Sequence, residues 1–191
     1  MLNPYAGNAA TFLITMLFGL YLLAVMLRFL FQLVRADFYN PFSQFIVRVT
    51  NPLLLPARRF VPGFAGVDLA SVALMMLLQM IELWLTSWIA GYSPQVIGLF
   101  VLSISKLLSL ALNIFFISIL VQVILSWVNP TAYNPVTSLL YSLNEPLLAP
   151  ARRLIPPISG LDLSPIAVII CLQLASMLLV APISDMGKGL L

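Results

Sequence analysis

Long apolar runs alternate with short polar, proline-rich segments along the whole chain. The first pair of apolar runs covers residues 9–34 and 69–90, and the second pair covers 103–128 and 163–183. A helix needs about 20 apolar residues to cross a bilayer core of about 30 Å, so each run is long enough to span a membrane. The stretch from Gln95 to Val128 would measure roughly 50 Å as one helix. We therefore interpret residues 94–102 as a connector or interfacial turn and predict four membrane-spanning helices.

The chain also contains an internal repeat with an offset of 94 residues. Segment 51–69 returns as segment 145–163, and the offset pairs Arg58 with Arg152. Each copy would be a hairpin of two spans joined by one polar loop. Such hairpins start and end on the same side, so the sequence predicts parallel repeats with a pseudo-twofold axis along the membrane normal. The predicted units are residues 1–94, with loop 35–68, and residues 95–191, with loop 129–162.

Composition supports a membrane protein and excludes several chemistries. Of the 191 residues, 62% are hydrophobic and 8% are charged, whereas about a quarter of a soluble domain is charged. There is no His, and the single Cys171 lies in an apolar run, so disulfides, zinc clusters and histidine-ligated haem are not expected within one chain. Without His, a catalytic serine would need a Lys or carboxylate as its base, and Lys106 has no identifiable partner in the sequence. No phosphate-binding loop occurs in the sequence either. We therefore expect neither an enzyme nor a cofactor, and a net charge of +3 is too small to indicate nucleic-acid binding.

Positive charge is concentrated in the two repeat loops. Six of the nine basic residues lie there or at the adjoining span ends: Arg35, Arg48, Arg58, Arg59, Arg152 and Arg153. The connector 91–98 has no charge. By the positive-inside rule, both loops are predicted to be cytoplasmic and both termini external.

The first loop has the pattern of a short amphipathic helix. Phe42, Phe45, Ile46 and Val49 follow helical spacing, and residues 135–143 form a more uniformly apolar counterpart. Such a helix is expected to lie flat in the headgroup region. Pro56 lacks a backbone donor and would leave any following helix short or kinked.

Each loop contains an Arg pair followed by an Asp. Asp68 and Asp162 are placed to cap the second and fourth spans. Arg58, Arg59, Arg152 and Arg153 allow two compatible interpretations. They could gather anionic lipid or an acidic partner segment, or they could only keep the loops inside and pair with the two aspartates.

Several polar residues occur within the spans. They are Arg28, Gln79, Glu82, Gln122 and Gln173. Charge at membrane depth is costly, about 3 kcal/mol or more per residue. In one interpretation Arg28 extends to the headgroups and the glutamines bond helix to helix. In the other, the five residues form a polar core or ion path, with a Gln79–Arg28 hydrogen bond within easy reach.

The chain resembles the YggT (YlmG-like) family of bacterial inner membranes and plastids. The resemblance rests on Arg28, on Arg35-Ala-Asp-Phe-Tyr-Asn-Pro41, on both Pro-Leu-Leu-x-Pro-Ala-Arg-Arg segments and on the turn 161–165. It implies a membrane role in osmotic-stress tolerance and cell division, and, from plastid relatives, in assembly of cytochrome complexes. Gly63, where the second copy has Pro157, departs from the double proline of the motif.

Two functions of different classes remain open at this point. One is a non-enzymatic organiser whose duplicated loops recruit lipids or other membrane proteins. The other is a small channel or transporter, built from a homo-oligomer, that uses the intramembrane polar residues as its path.

Overall fold

The computed structural model describes residues 4–63, 66–128, 134–155 and 162–191 and is all-helical. The helices are α1 (Pro4–Leu33), α2 (Pro41–Phe60), α3 (Leu69–Ile89), α4 (Val96–Val128), α5 (Pro135–Leu154), α6 (Ser164–Ala175) and α7 (Ala181–Gly189). A π-helical segment, Ser176–Val180, joins α6 to α7, so residues 164–189 form one continuous helix. Four helices are long and apolar enough to cross a membrane: α1, α3, α4 and the α6–α7 helix.

The third spanning helix begins earlier than the sequence interpretation placed it. Residues 96–102, expected to be part of a connector, are the first two turns of α4, which is 33 residues long. Its extra turns pack against an equally unexpected extension of the last helix beyond residue 183. A Cβ at Gly98 would lie 2.7 Å from the backbone oxygen of Leu190, and one at Gly187 would lie 2.7 Å from the Leu102 side chain. The two extensions support each other through glycines that permit close backbone approach.

The loop helices are longer than the short helices that the prolines predicted. α2 continues through Pro52 and Pro56, and α5 continues through Pro146 and Pro150, each for 20 residues. An interior proline removes one backbone hydrogen bond and crowds the preceding turn. Packing against the bundle offsets this cost, since both helices bury one face. The expectation that these loop helices would be short was therefore wrong.

The core lies where the spanning helices meet α2 and α5. α1 packs along α3, α3 packs against α4, and α4 packs along the α6–α7 helix. The main apolar cluster includes Val25 and Met26 of α1, Met75 of α3 and Ile114 of α4. Leu54 of α2 and Leu143 of α5 complete it from one end. Both loop helices are thus integral parts of the bundle.

Candidate functional site: two interfacial helices and their polar supports

α2 has three different faces. The buried face consists of Ser43, Ile46, Thr50 and Leu54. The exposed apolar face consists of Phe42, Phe45, Val49, Leu53 and Phe60. The remaining exposed face contains Gln44, Arg48 and Arg59 together with one apolar residue, Leu55, which is 53% exposed. At 3.6 residues per turn the apolar face lies between the buried face and the basic face, which is the pattern of a helix lying at a membrane surface. We call α2 and α5 the interfacial helices.

Arg28 joins the first spanning helix to α2. Its Nη1 donates to Thr50 Oγ1 at 2.7 Å and to Asn51 Oδ1 at 2.8 Å, with a longer contact of 3.3 Å to the Val47 carbonyl. The arginine is 6% exposed, and its guanidinium group ends on α2. It also makes no hydrogen bond to Gln79 among the described residues. A cationic donor with several acceptors satisfies a charge that would otherwise be costly to bury.

Neutral groups make the equivalent connection in the second repeat. Gln122 and Asn144 stand at the 94-residue offset from Arg28 and Thr50. Asn144 Nδ2 donates to Gln122 Oε1 at 2.8 Å, and Ser118 Oγ donates to Asn144 Oδ1 at 2.6 Å. Asn144 is fully buried. Each interfacial helix is therefore tied to its preceding span by a buried polar contact.

A third polar group joins α3 to α4. Gln79 Nε2 donates to Glu82 Oε2 at 2.7 Å, and Lys106 Nζ forms an ion pair with Glu82 Oε1 at 3.1 Å. Lys106, which had no identifiable partner in the sequence, is thus the partner of Glu82. Gln173 on α6, the offset equivalent of Gln79, is exposed instead. The five intramembrane residues do not form one polar core, because they fall into separate groups.

Asp68 occupies the N-cap position of α3. Its carboxylate accepts the Ser71 backbone N–H and the Ser71 hydroxyl, and it pairs with Arg58 at the end of α2. Burial by itself raises the pKa of Asp68, but the hydrogen bonds from Arg58 and Ser71 outweigh it and hold the pKa below its usual range. The pair thereby fixes the last turn of α2 against the start of α3.

Asp162 lies one residue before the N-cap of α6, which is Leu163, so the cap prediction was displaced by one position. Its carboxylate nevertheless accepts the Ser164 N–H at 2.9 Å and pairs with Arg152 at 3.0 Å. Burial acts to raise the pKa of Asp162, but the Ser164 and Arg152 hydrogen bonds lower it overall. Arg152 also pairs with Glu145 at 3.0 Å. Partial burial acts to lower the pKa of Arg152, but its hydrogen bonds to Asp162 and Glu145 and their negative charges raise the pKa overall.

The two arginines of each pair have different environments. Arg58 and Arg152 are engaged by acidic side chains of the same loop. Arg59 and Arg153 are exposed, and neither has an ion pair within the part of the chain that the structure describes. Arg48 is likewise exposed on the basic face of α2. The first member of each pair therefore stabilises the fold, while the second remains available to a ligand.

The sequence interpretation missed the polar partners on the interfacial helices. Thr50 and Asn144 both lie on loop helices and were not among the candidate residues, although they occupy equivalent repeat positions. The same 94-residue offset, applied to polar loop residues as it was to the spans, would have paired them. The Glu82–Lys106 ion pair had no such signal, because the two residues belong to different repeats.

The helices and sites together define a polytopic helical membrane protein with four candidate spans and two interfacial helices. The chain belongs to the CCB3/YggT family, whose model matches it twice, at residues 7–89 and 101–183. The two matches are separated by the same 94-residue offset as the repeat. The family resemblance is therefore confirmed.

Relatives in other bacteria align over almost the whole chain. An uncharacterized protein of Pseudomonas aeruginosa is 48% identical over 182 residues, covering 94% of this chain and 92% of the relative. An uncharacterized protein from the proC 3' region of Vibrio alginolyticus is 41% identical, with 90% and 94% covered. The uncharacterized protein YggT of Escherichia coli is 35% identical, with 96% of each chain covered. No solved structure gives a significant match.

Proposed function

We propose that this protein is a non-enzymatic organiser of the bacterial inner membrane that gathers anionic lipid headgroups on its two interfacial helices. The observation that carries the proposal is the division within each Arg pair. Arg58 and Arg152 are held by acidic side chains, whereas Arg59 and Arg153 are exposed without an ion pair among the described residues.

The shape of α2 supports lipid as the ligand. Its exposed apolar face would enter the acyl boundary while the basic face meets the headgroups. Arg48 and Arg59 lie on an open surface of α2 together with Pro52 and Pro56. Each arginine near an anionic surface contributes about 1 kcal/mol. A few such contacts enrich anionic lipid around the protein without a closed binding site.

The arrangement in the membrane follows from the charge distribution. The interfacial helices contact each other, since Asn40 Nδ2 donates to the Pro135 carbonyl at 2.6 Å. The Arg pairs are at the C-terminal ends of these helices. Under the positive-inside rule this end of the bundle is cytoplasmic and both termini are external. The two sequence repeats are then parallel hairpins.

The polar groups within the spans support the same function. Arg28 and Gln122 each bond to an interfacial helix, so their polarity is accounted for by holding that helix in place. The separate positions of these contacts do not favour a continuous path for ions.

The experiment compares two matched double variants in nanodiscs that contain both zwitterionic and anionic lipid. We expect Arg59→Gln with Arg153→Gln to reduce anionic lipid enrichment, measured by mass spectrometry of co-purified lipid, while thermal stability stays unchanged. Arg58→Gln with Arg152→Gln is expected to lower stability instead. Unchanged lipid enrichment in the first variant would overturn the proposal, and an acidic protein crosslinked to Arg59-site probes would then replace lipid as the ligand.

The cellular role implied by the family resemblance can be tested with the same variants. We expect the Arg59 and Arg153 double variant to fail to restore osmotic-stress tolerance or normal cell division in a deletion strain, at wild-type protein levels. Full restoration by this variant would show that osmotic-stress tolerance and cell division do not depend on Arg59 and Arg153.

One observation favours a small ion channel or transporter as a second candidate. Glu82 is 3% exposed yet paired with Lys106 between two spanning helices, and intramembrane ion pairs often mark ion pathways. Potassium or proton flux through purified protein in liposomes, lost in Glu82→Gln, would support this candidate. Absence of flux from correctly inserted protein would exclude it.

A further inference from the structure

We propose that a second copy of this chain docks head to tail, with its α1 packed against α6 of the first copy, and that this contact repeats the α3–α4 contact within each chain. The repeat offset relates α1 to α4 and α3 to α6. By this offset, the α4 side of the α3–α4 contact corresponds to a surface on α1, and the α3 side corresponds to a surface on α6. Both corresponding surfaces are exposed.

The contact inside the chain shows what such surfaces bind. Lys106 of α4 takes part in it through its ion pair with Glu82, and the apolar α4 residues Leu107 and Ile114 are each 8% exposed. α3 contributes Gln79, Glu82 and Leu83, which are 4%, 3% and 9% exposed. Leu83 of α3 lies in one apolar cluster with Leu99 and Leu102 of α4, and the Lys106–Glu82 ion pair fixes the depth at which the helices meet.

The equivalent surface on α1 is uncovered. Its residues, with their exposed fractions, are Phe12 (62%), Leu13 (58%), Met16 (49%), Leu17 (67%) and Leu20 (60%). Leu13 and Leu20 stand at the offset from Leu107 and Ile114, which are buried. We call this surface the α1 outer face.

The equivalent surface on α6 is also uncovered, and it carries a polar side chain. Ile170 is 54% exposed, Leu174 is 49% exposed, and Gln173 is exposed although its equivalent Gln79 is buried. An amide facing lipid in a spanning helix lacks the partners that such groups usually find at helix–helix contacts. We call this surface the α6 open face.

The α1 outer face and the α6 open face of one chain do not contact each other among the described residues. Neither α6 nor α7 contacts α1 within the described residues. α1 is instead held by α2, α3, α4 and α5, and Leu139 and Leu143 of α5 enter the α1 core cluster. A contact that uses two different faces is heterologous, so it joins one copy's α1 outer face to the next copy's α6 open face.

The internal contact also sets the depth of the proposed one. Phe12 is the repeat equivalent of Lys106, and Ser176 is the repeat equivalent of Glu82. The Lys106–Glu82 pair therefore corresponds to Phe12 of one copy and Ser176 of the next. Ser176 is the first residue of the π segment and directly follows α6, so it keeps the α6 register. Phe12 and Ser176 are therefore expected to lie side by side between copies.

The test uses single-cysteine variants in a Cys171→Ser background, with the two variants carrying different tags in one membrane. We expect Phe12→Cys and Ser176→Cys chains to be joined by a short bis-maleimide only when both are present. A bifunctional reagent is appropriate because the template contact is bridged by two long side chains, beyond disulfide reach. Three results would overturn the proposal: no product in the mixture, self-joining of Phe12→Cys alone, or a Phe12→Cys/Ser176→Cys double variant that is linked only within one chain.

The native cysteine provides a matched control. Cys171 lies two residues before Gln173 and hence on the other side of α6. Differently tagged Phe12→Cys chains that retain Cys171 and Ser176 are expected to give no bis-maleimide crosslink between Phe12→Cys of one copy and Cys171 of another. As an independent measurement, Gln173→Trp should reduce the oligomeric fraction of detergent-purified protein at least 10-fold, while Cys171→Trp should not. Equal effects of the two tryptophans would also contradict the proposed face.

Discussion

Replacing Arg28 by Met should release α2 from the spanning bundle while leaving the rest of the fold assembled. Methionine retains much of the apolar stem and removes only the guanidinium group. The change therefore deletes the donors to Thr50 and Asn51 and leaves their oxygens without the cation.

The size of the effect can be worked from these contacts. A hydrogen bond to a charged group contributes about 1.5–3 kcal/mol, and Arg28 makes two short ones at 2.7 and 2.8 Å. Thr50 Oγ1 keeps its own bond to the Ile46 carbonyl at 2.8 Å, and burying a charge offsets part of the gain. We expect a net loss of about 2–4 kcal/mol in the stability of docked α2.

Hydrogen exchange of α2 amides in nanodiscs measures this directly. A change of about 1.4 kcal/mol is tenfold in an equilibrium constant, so exchange across residues 41–60 should become roughly 30- to 1000-fold faster. Arg48→Met is the matched control, because Arg48 is on the same helix but exposed, and its exchange should match wild type. Equal protection in Arg28→Met and wild type would refute the assignment of Arg28 as the support of α2. A Thr50→Val cycle with Arg28→Met should show a coupling energy above about 0.5 kcal/mol.

Three further perturbations test the other polar contacts. The pKa of Asp68 is lower in the folded protein than its ordinary value of about 3.9, so its contribution to stability is complete above that value and lost as pH falls through the folded pKa. Thermal melts should therefore show a smaller acid loss in Asp68→Asn than in wild type, with the remaining loss due to Asp162. Lys106→Met should destabilise the fold by about 1–3 kcal/mol in denaturation assays, because the buried Glu82 keeps the neutral Gln79 amide but loses its cation, and adding Glu82→Gln should recover most of the loss; no recovery would contradict the ion pair. Asn144→Leu leaves Gln122 without its donor. Hydrogen exchange of the α5 amides should therefore become faster by an amount that corresponds to about 1–3 kcal/mol of lost stability. Unchanged exchange would show that α5 is held by its apolar face.

Local sequence signals predicted the features that depend on local chemistry. The four spans follow from apolar length, and each agrees with a candidate span of the structure apart from its ends. The N-cap position of Asp68 followed from its place just before an apolar run. Prolines were misleading, because their cost to an isolated helix predicted short loop helices, while Leu54 and Leu148 bury those helices against the bundle.

The candidate site was only partly accessible to the same reasoning. Intramembrane polar residues could be recognised individually, since each stands out in an apolar run. Their partners depend on helix rotation and on which helices are neighbours. Arg28 therefore bonds to α2 and not to Gln79, and Lys106 finds Glu82 across the two repeats.

The sequence by itself determined that this protein is a four-span helical membrane protein with a 94-residue repeat and two basic loops. Hydrophobic length, charge distribution and repetition are properties of the chain, so no packing information is needed to read them. Only the tertiary structure decided which arginine of each pair is engaged and which Gln is buried. Two equivalent residues of a repeat have the same sequence context but different neighbours, and the neighbours set their burial and hydrogen bonds. For this reason Gln79 is buried and bonded to Glu82, while Gln173 is exposed.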